Sequence, residues 1–149
     1  MFKPILVSAC LLGLPTRYDG KHKENSQVLT HLKEKGLHPI PVCPEQLAGL
    51  ATPRPKCWFD QGDGKEVLLG KGRLVRSDGK EMNSHFIRGA EVTLQIARLT
   101  DCQTALFKEG SPSCGVGRVY RQQQSVAGQG VATAMLQHNG LRVYSEEDI

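Results

Sequence analysis

The sequence predicts an α/β fold in which helices flank a parallel sheet, and three observations support this prediction. Apolar runs of strand length alternate with segments of helical periodicity from one end of the chain to the other. The 149 residues are about the usual length of one domain, so we expect residues 1–149 to form a single domain. The chain contains no internal repeat and no low-complexity segment.

The first half of the chain predicts two strands and two helices. The apolar run PILVSACL (4–11) predicts a strand, and SQVLTHLKEKG (26–36) predicts a helix with Ser26 as its N-cap. LHPIPVCP (37–44) predicts a second strand, and Pro39 and Pro41 within the run favour a position at a sheet edge. PEQLAGL (44–50) predicts a short helix, because its proline suits the first helical turn.

The second half predicts two further strands and the longest helix. The Gly- and Asp-rich segment 59–83 predicts a small excursion with a hairpin, and SHFIRGAEVTLQIARLTD (84–101) has helical spacing of its apolar residues. CQTALFKEG (102–110) and LRVYSEEDI (141–149) predict strands, with the helix GVATAMLQHNG (130–140) between them. This alternation predicts a parallel sheet, because parallel strands need helical crossovers.

The charges favour a small-molecule partner over a nucleic acid or a membrane. The 19 Lys and Arg residues exceed the 15 Asp and Glu residues only slightly and are scattered rather than clustered. No apolar run is long enough to span a bilayer. The N-terminal apolar run contains Pro4 and Ser8 and lacks a signal-peptide cleavage site, so we expect a cytoplasmic protein.

The five cysteines are widely spaced and do not predict a disulfide framework. They lie at positions 10, 43, 57, 102 and 114, with no CxxC pair that would indicate a zinc ribbon or a thioredoxin-like site. Cys10, Cys43 and Cys114 lie at or just after the ends of three predicted strands, which places them at one edge of a parallel sheet. Cys57 and Cys102 fall elsewhere, and we expect them to be structural.

Three interpretations of these thiols stay open on spacing alone. Each could be a small buried hydrophobic side chain, which is the usual state of a free cysteine. Cys114, in the loop KEGSPSCGVG (108–117), could be a nucleophile. The three could also hold zinc with an open position, or an iron–sulfur cluster with one iron free of protein ligands.

Several motifs resemble those of the bacterial thiouracil desulfidase (2-thiouracil desulfurase) family. They are VSACLLG, RYDG, PVCPEQLAGL followed by TPR, SPSCG and NGLRVYSEE, which run in the family's order over nearly the whole chain. The resemblance implies a Rossmann-like domain with a [4Fe-4S] cluster held by Cys10, Cys43 and Cys114. It also implies hydrolysis of a thiolated uracil base, nucleoside or nucleotide to the uracil product and hydrogen sulfide, with the free iron accepting the sulfur.

The same resemblance suggests catalytic roles for two polar side chains. Glu45, two residues after Cys43, corresponds to the family's catalytic glutamate and would transfer protons, although a helix N-terminus also favours a glutamate there. Ser111 corresponds to the second catalytic position and would orient water or substrate. It could equally cap its own loop, which is the role that we expect for Ser113.

Four residues are candidates for substrate binding. Tyr18 would stack on the pyrimidine, and Asp19 would accept a hydrogen bond from the ring, although the Asp-Gly pair also suits a plain β-turn. Arg17 and Lys108 would meet a substrate phosphate, or else be ordinary surface charges. Family members often carry a cysteine where this chain has Thr16, and we expect the threonine to be tolerated.

Two other functions compete with desulfuration at this point. The first is a zinc- or thiol-dependent hydrolase with Cys114 as its nucleophile. The second is a non-catalytic iron–sulfur protein that senses redox state or transfers electrons.

Overall fold

Two four-stranded sheets form the framework of residues 3–149, which are the residues that the computed structural model describes. The strands are β1 (Lys3–Ser8), β2 (Leu37–Val42), β3 (Cys57–Gln61), β4 (Arg73–Arg76), β5 (Thr104–Phe107), β6 (Arg118–Arg121), β7 (Gln124–Ala127) and β8 (Arg142–Ser145). The helices are α1 (Ser26–Glu34), α2 (Pro44–Leu47), α3 (Gly64–Leu68), α4 (Asn83–Leu99) and α5 (Val131–His138), with 3₁₀ helices at Ala9–Leu12 and Glu146–Asp148. None of these helices combines the length and apolarity needed to cross a membrane.

The first sheet is parallel, in the order β2-β1-β5-β8. Leu6 of β1 lies opposite Ile40 of β2 on one side and Ala105 of β5 on the other. Strand β2 is at the edge, which agrees with the prediction from its prolines. Because the strands run in one direction, the loops that follow β1, β2 and β5 all leave from the same side, which we call the carboxyl edge.

Both faces of this sheet are buried against helices. Ile5 and Val7 point to one face and pack with Leu32 of α1, whereas Leu6 points to the other and belongs to the cluster that contains Phe86 of α4. Successive side chains of a strand face opposite ways, so a strand covered on both sides must be apolar throughout. The predicted parallel sheet flanked by helices is therefore confirmed.

The predicted excursion is part of a second sheet, which contains more than the single hairpin that the sequence predicts. Strands β3 and β4 pair antiparallel around α3, and β3 also pairs in parallel with β6, where Phe59 lies opposite Arg121. The hairpin of β6 and β7 completes the order β4-β3-β6-β7. The sequence pattern predicts no element over residues 118–127, because these strands have four residues each and Val119 is their one buried side chain.

Helix α1 has a different N-cap from the predicted one. Asn25 has an extended backbone, and its Oδ1 accepts a hydrogen bond from the Val28 N–H at 3.1 Å. Ser26 is already the first helical residue. Asparagine and serine are about equally good N-caps, so the sequence alone does not decide between two such neighbours.

Helix α4 holds the very short helix α2 in place. A Cβ atom on Gly89 would lie 2.2 Å from the Pro44 carbonyl oxygen, so only glycine allows the two backbones to approach this closely. A helix of four residues is not stable by itself, since nucleation is unfavourable. The contact with α4 therefore supplies the support that α2 lacks.

A buried carboxylate closes the loop between β5 and β6. The Glu109 side chain is almost fully buried, and its Oε1 accepts hydrogen bonds from the backbone N–H groups of Val116 (2.6 Å), Gly117 (2.9 Å) and Arg118 (3.2 Å). The Glu109 N–H donates in turn to Oε1 of Glu146 at 2.8 Å. One side chain therefore satisfies three backbone donors and fixes both ends of the loop.

Replacing this carboxylate should destabilise the fold more than replacing a surface partner. Glu109→Ala leaves three backbone donors without their acceptor, and we expect it to lower the free energy of unfolding by about 3 kcal/mol or more. Glu147→Ala removes only an exposed ion pair with Arg118 and should cost less than about 1 kcal/mol. Urea denaturation of both variants measures the difference, and equal losses would contradict the role given to Glu109.

Candidate active site

A cavity of about 330 Å³ opens at the carboxyl edge of the first sheet. Its walls come from the loops after β1, β2 and β5 and, on the other side, from β3 and β6 of the second sheet. Ligands of open parallel sheets bind at this edge. Small-molecule sites have volumes of about 300–1,000 Å³, so the cavity suits a compact ligand.

The cavity brings together the three cysteines that the sequence places at strand ends. Cys10, Cys43 and Cys114 all line it, and each lies within electrostatic range of the other two. Strand β1 ends at Ser8, so Cys10 lies in the 3₁₀ turn Ala9–Leu12 rather than in the strand itself. All five cysteines of the chain are free thiols.

Cys43 is held at the start of α2. It is the N-cap residue of that helix and has an extended backbone. Its Sγ lies 3.6 Å from the carbonyl oxygen of Thr16. Residue 16 thus contributes its backbone to the site, which gives a physical reason why a threonine is compatible with this position.

The Cys114 loop is fastened from two sides. Within the loop, Ser111 Oγ accepts hydrogen bonds from the N–H groups of Ser113 (3.2 Å) and Cys114 (3.1 Å). From outside, the Thr133 hydroxyl of α5 donates to the Cys114 carbonyl at 3.0 Å. A Cβ atom on Gly130 would lie 2.4 Å from the Ser113 carbonyl carbon, so glycine is required where α5 meets the loop.

Burial keeps these three thiols protonated in the absence of a cation. It raises the pKa of Cys10 to about 11, against the opposing charge of Lys108, and it also raises the pKa values of Cys43 and Cys114. A nucleophilic cysteine has a lowered pKa, so Cys114 is not activated for attack. A bound metal centre deprotonates its cysteine ligands, and soft thiolates suit iron–sulfur clusters or zinc.

The three thiols form a donor set that fits an iron–sulfur group. They are free cysteines that line one cavity, and soft thiolates are the usual ligands of iron–sulfur clusters. The cysteines of a [4Fe-4S] cluster bind different irons, so they need not converge on one centre. Among residues 3–149, no three Cys, His, Asp or Glu side chains meet closely enough to hold one metal ion.

A fourth cysteine also lines the cavity. The sequence placed Cys57 away from the site, but the second sheet folds over the carboxyl edge and brings the start of β3 into the wall. Burial raises the pKa of its thiol to about 11, and the charge of Glu45 acts in the same direction while that of Arg54 opposes it. Cys102 does not line the cavity, and its Sγ lies 3.2 Å from the Thr100 hydroxyl.

Glu45 faces the cavity from the first turn of α2. Its Oε2 accepts a hydrogen bond from the Ser113 hydroxyl at 3.1 Å, and its Oε1 lies 3.5 Å from Nε of Arg54. The side chain is only 14% exposed. Both carboxylate oxygens are thus held by groups from distant parts of the chain.

The two serines of SPSCG differ from the sequence prediction, which expected Ser113 to cap the loop: Ser111 does so instead, and the Ser113 hydroxyl donates to Glu45. Ser111 lines the cavity, but its Oγ already accepts two backbone hydrogen bonds, which is the capping alternative. Ser113 is buried, and its hydroxyl contacts Glu45 (3.1 Å) and Ser111 (3.2 Å). A chain of hydroxyls therefore connects the carboxylate to the Cys114 loop.

Three of the four predicted substrate-binding residues line the cavity: Arg17, Tyr18 and Lys108. Asp19 does not. Its carboxylate accepts from the Lys21 N–H at 3.0 Å and lies 3.5 Å from Arg17 Nε, the arrangement of a plain turn. The hydrogen bond from the Lys21 N–H lowers the pKa of Asp19 most, and the charge of Arg17 lowers it further.

The cavity also contains charged and aromatic residues that the sequence analysis does not single out. They are Lys23, Arg54, Lys56, Glu109, Arg118 and Tyr120. The Lys56 ammonium lies 5.8 Å from the ring centroid of Tyr18 and 5.6 Å from that of Tyr120, within the range of cation–π contacts. Only Arg54, in the family-like TPR motif, carries a sequence signal that could have pointed to the site.

Comparisons with known proteins agree with this geometry. A family model described as 2-thiouracil desulfurase matches residues 5–148. The uncharacterized protein YbbK of Bacillus subtilis (strain 168) is 35% identical over 148 residues, which cover 97% of each chain. A solved structure of a [4Fe-4S]-dependent thiouracil desulfidase, TudS, is 41% identical, with a TM-score of 0.84 over 99% of this chain and 93% of that one. This chain belongs to the 2-thiouracil desulfurase family.

Proposed function

We propose that this protein catalyses the [4Fe-4S]-dependent hydrolytic desulfuration of a thiolated uracil base, nucleoside or nucleotide. The observation that carries the proposal is the meeting of three free thiols, two of them buried and that of Cys43 half-buried, and one carboxylate, Glu45, at a single cavity. The family match and the cofactor of the TudS relative support it independently. We expect the protein to act in the cytoplasm.

In this proposal Cys10, Cys43 and Cys114 hold the cluster. With three protein ligands, a bound [4Fe-4S] cluster would keep one iron free of protein, and it would supply a Lewis acid suited to the soft sulfur of the substrate. Cys10 and Cys114 are buried and Cys43 is half-buried, so the group that they would hold lies at the base of the cavity walls rather than on the open surface. Ser111 and Glu109 act indirectly, because they fix the loop that carries Cys114.

Glu45 acts as the proton-transfer group. One of its oxygens accepts from Ser113, which leaves the carboxylate oriented towards the cavity and able to accept a proton from water. The water oxygen then forms a bond to the substrate carbon, and the bond from that carbon to sulfur breaks. Both protons of the water end on sulfur, so the products are the uracil compound and hydrogen sulfide, with no net electron transfer.

The charges of the cavity favour a substrate that carries a phosphate. Arg17, Lys23, Lys56 and Lys108 all line it. Lys108 is already paired with Glu146 at 3.0 Å, but the six cations of the lining exceed its two carboxylates, Glu45 and Glu109. Such an excess of one sign of charge raises the local concentration of ligands of the opposite sign. The rings of Tyr18 and, from the second sheet, Tyr120 provide apolar faces for the base.

Loss of one proposed ligand should remove the cluster. Cys114→Ala prepared without oxygen should lose most of its iron and acid-labile sulfide together with its activity on 2- or 4-thiouracil, because a thiolate ligand is missing. Cys102→Ala is the matched control, since that buried thiol lies outside the cavity. Zinc without labile sulfide in the unmodified protein would contradict the proposal, as would a Cys114→Ala variant that keeps its cluster.

Glu45 should be needed for turnover but not for cluster binding. We expect Glu45→Gln to lower kcat by about 100-fold or more, the usual contribution of a positioned acid or base, at unchanged iron content. Glu34→Gln, at the exposed end of α1, serves as the control. Sulfide release under single-turnover conditions measures the effect, and wild-type rates in Glu45→Gln would remove the residue from the mechanism.

A substrate phosphate should improve turnover in a salt-dependent manner. At low ionic strength we expect kcat/KM for a thiouridine 5′-monophosphate to exceed that for the free thiouracil by at least about tenfold, through attraction to the lysines and arginine of the cavity. Added salt should reduce this advantage, since it screens exposed charges. The uncharged nucleoside is the control, and equal salt dependence of all three compounds would argue against a phosphate site.

A further inference from the structure

Arg54 is an arginine with a largely buried side chain, and its guanidinium contacts several other groups of the site. Its side chain is only 6% exposed. Nη1 donates to the Thr52 hydroxyl at 2.8 Å and to the Ala51 carbonyl at 3.3 Å, so the guanidinium is anchored to its own loop. Nη2 donates to the Thr16 carbonyl at 2.9 Å and to the Cys43 sulfur at 3.7 Å.

The same guanidinium also faces the proposed catalytic carboxylate. Its Nε lies 3.5 Å from Oε1 of Glu45. Within residues 3–149, no acceptor is aligned with this N–H for a hydrogen bond, so the contact between the two groups is ionic. Both side chains are largely buried, and a buried charge needs a partner of the opposite sign.

The planar geometry of arginine explains why one side chain can contact both the Cys43 sulfur and the Glu45 carboxylate. The guanidinium presents its N–H groups in a rigid fork, so a nitrogen on one side contacts sulfur while another faces the carboxylate. A lysine ammonium carries the same charge on one nitrogen at the end of a flexible chain. It can approach one of the two partners but cannot fix the distance between them.

We propose that Arg54 is a positioning residue that holds the Cys43 sulfur and the Glu45 carboxylate in a fixed relation, and that its N–H group at the sulfur tunes the bound cluster. This inference rests on the proposed function, because it takes Cys43 as a cluster ligand. Hydrogen bonds to ligating sulfurs are one of the main determinants of cluster reduction potential. The desulfuration itself transfers no electrons, so the potential serves here as a probe of the contact.

The test compares wild-type protein, Arg54→Lys and Arg98→Lys after anaerobic cluster reconstitution. Arg98 lies at the exposed end of α4, where it bonds to Asn139, and it controls for the exchange of arginine for lysine. We expect Arg54→Lys to bind iron and sulfide as the wild type does. Its reduction potential should shift to more negative values, because the sulfur loses a donor, and its electron paramagnetic resonance spectrum should change with it.

Kinetics provide the second readout. Arg54→Lys should lower kcat by about 10- to 100-fold, the usual effect of removing a partner of a metal ligand, with KM changed less than about twofold. The Arg98→Lys control should match the wild type in potential, spectrum and kcat. If Arg54 had only a structural role, Arg54→Lys would lower the midpoint of thermal unfolding and leave the reduction potential of the cluster unchanged.

The outcomes separate this inference from the proposed function. Wild-type protein that takes up no cluster would overturn the proposed function and, with it, the inference. A loaded Arg54→Lys variant with the wild-type potential and kcat would overturn the inference alone. If Arg54→Lys does not take up a cluster, Thr52→Val is used instead, because it removes one anchor of the guanidinium. A smaller shift of the reduction potential in the same direction supports the role of Arg54, and an unchanged potential overturns it.

Discussion

The parallel pairing of β1 with β2 and β5 is the constraint on which the site depends. Strands that run in one direction end at one edge, so residues far apart in sequence leave the sheet side by side. Cys10, Cys43 and Cys114 follow these three ends. The apolar side chains that bury both faces of the sheet therefore also determine where the thiols meet, and a change that disturbed the pairing would separate them.

Burial gives the three thiols a second property. Because the surroundings disfavour the charged form, the pKa of each thiol is raised, and the thiolates are stable only beside a cation. The binding of a metal centre must then release protons and compensate for the buried charge. Under the proposed function, the stability of the protein is coupled for this reason to its content of iron–sulfur cluster.

The sequence predicted the first sheet, its helices and the meeting of three cysteines, because each depends on a local pattern or on a readable strand end. It did not predict β6 and β7, whose four-residue strands bury only Val119. Cys57 was misplaced for the same reason, since the second sheet carries it into the cavity. Glu109 was missed because its donors are backbone N–H groups, which no residue pattern reveals. Arg54 was missed because its contacts with the Thr16 carbonyl and the Cys43 sulfur form only in the folded chain.

The attachment of α5 to the Cys114 loop also decides how an anion can be recognised. In many α/β proteins a phosphate binds to the free amides at a helix N-terminus. Here the first amides of α5 are already engaged: Val131 donates to Pro112 O at 2.9 Å, and Ala132 donates to Ser113 O at 2.9 Å. Under the proposed function, recognition of a substrate phosphate therefore falls to side chains rather than to the amides of α5, so ligand preference can change in evolution without altering the backbone that supports the chemistry.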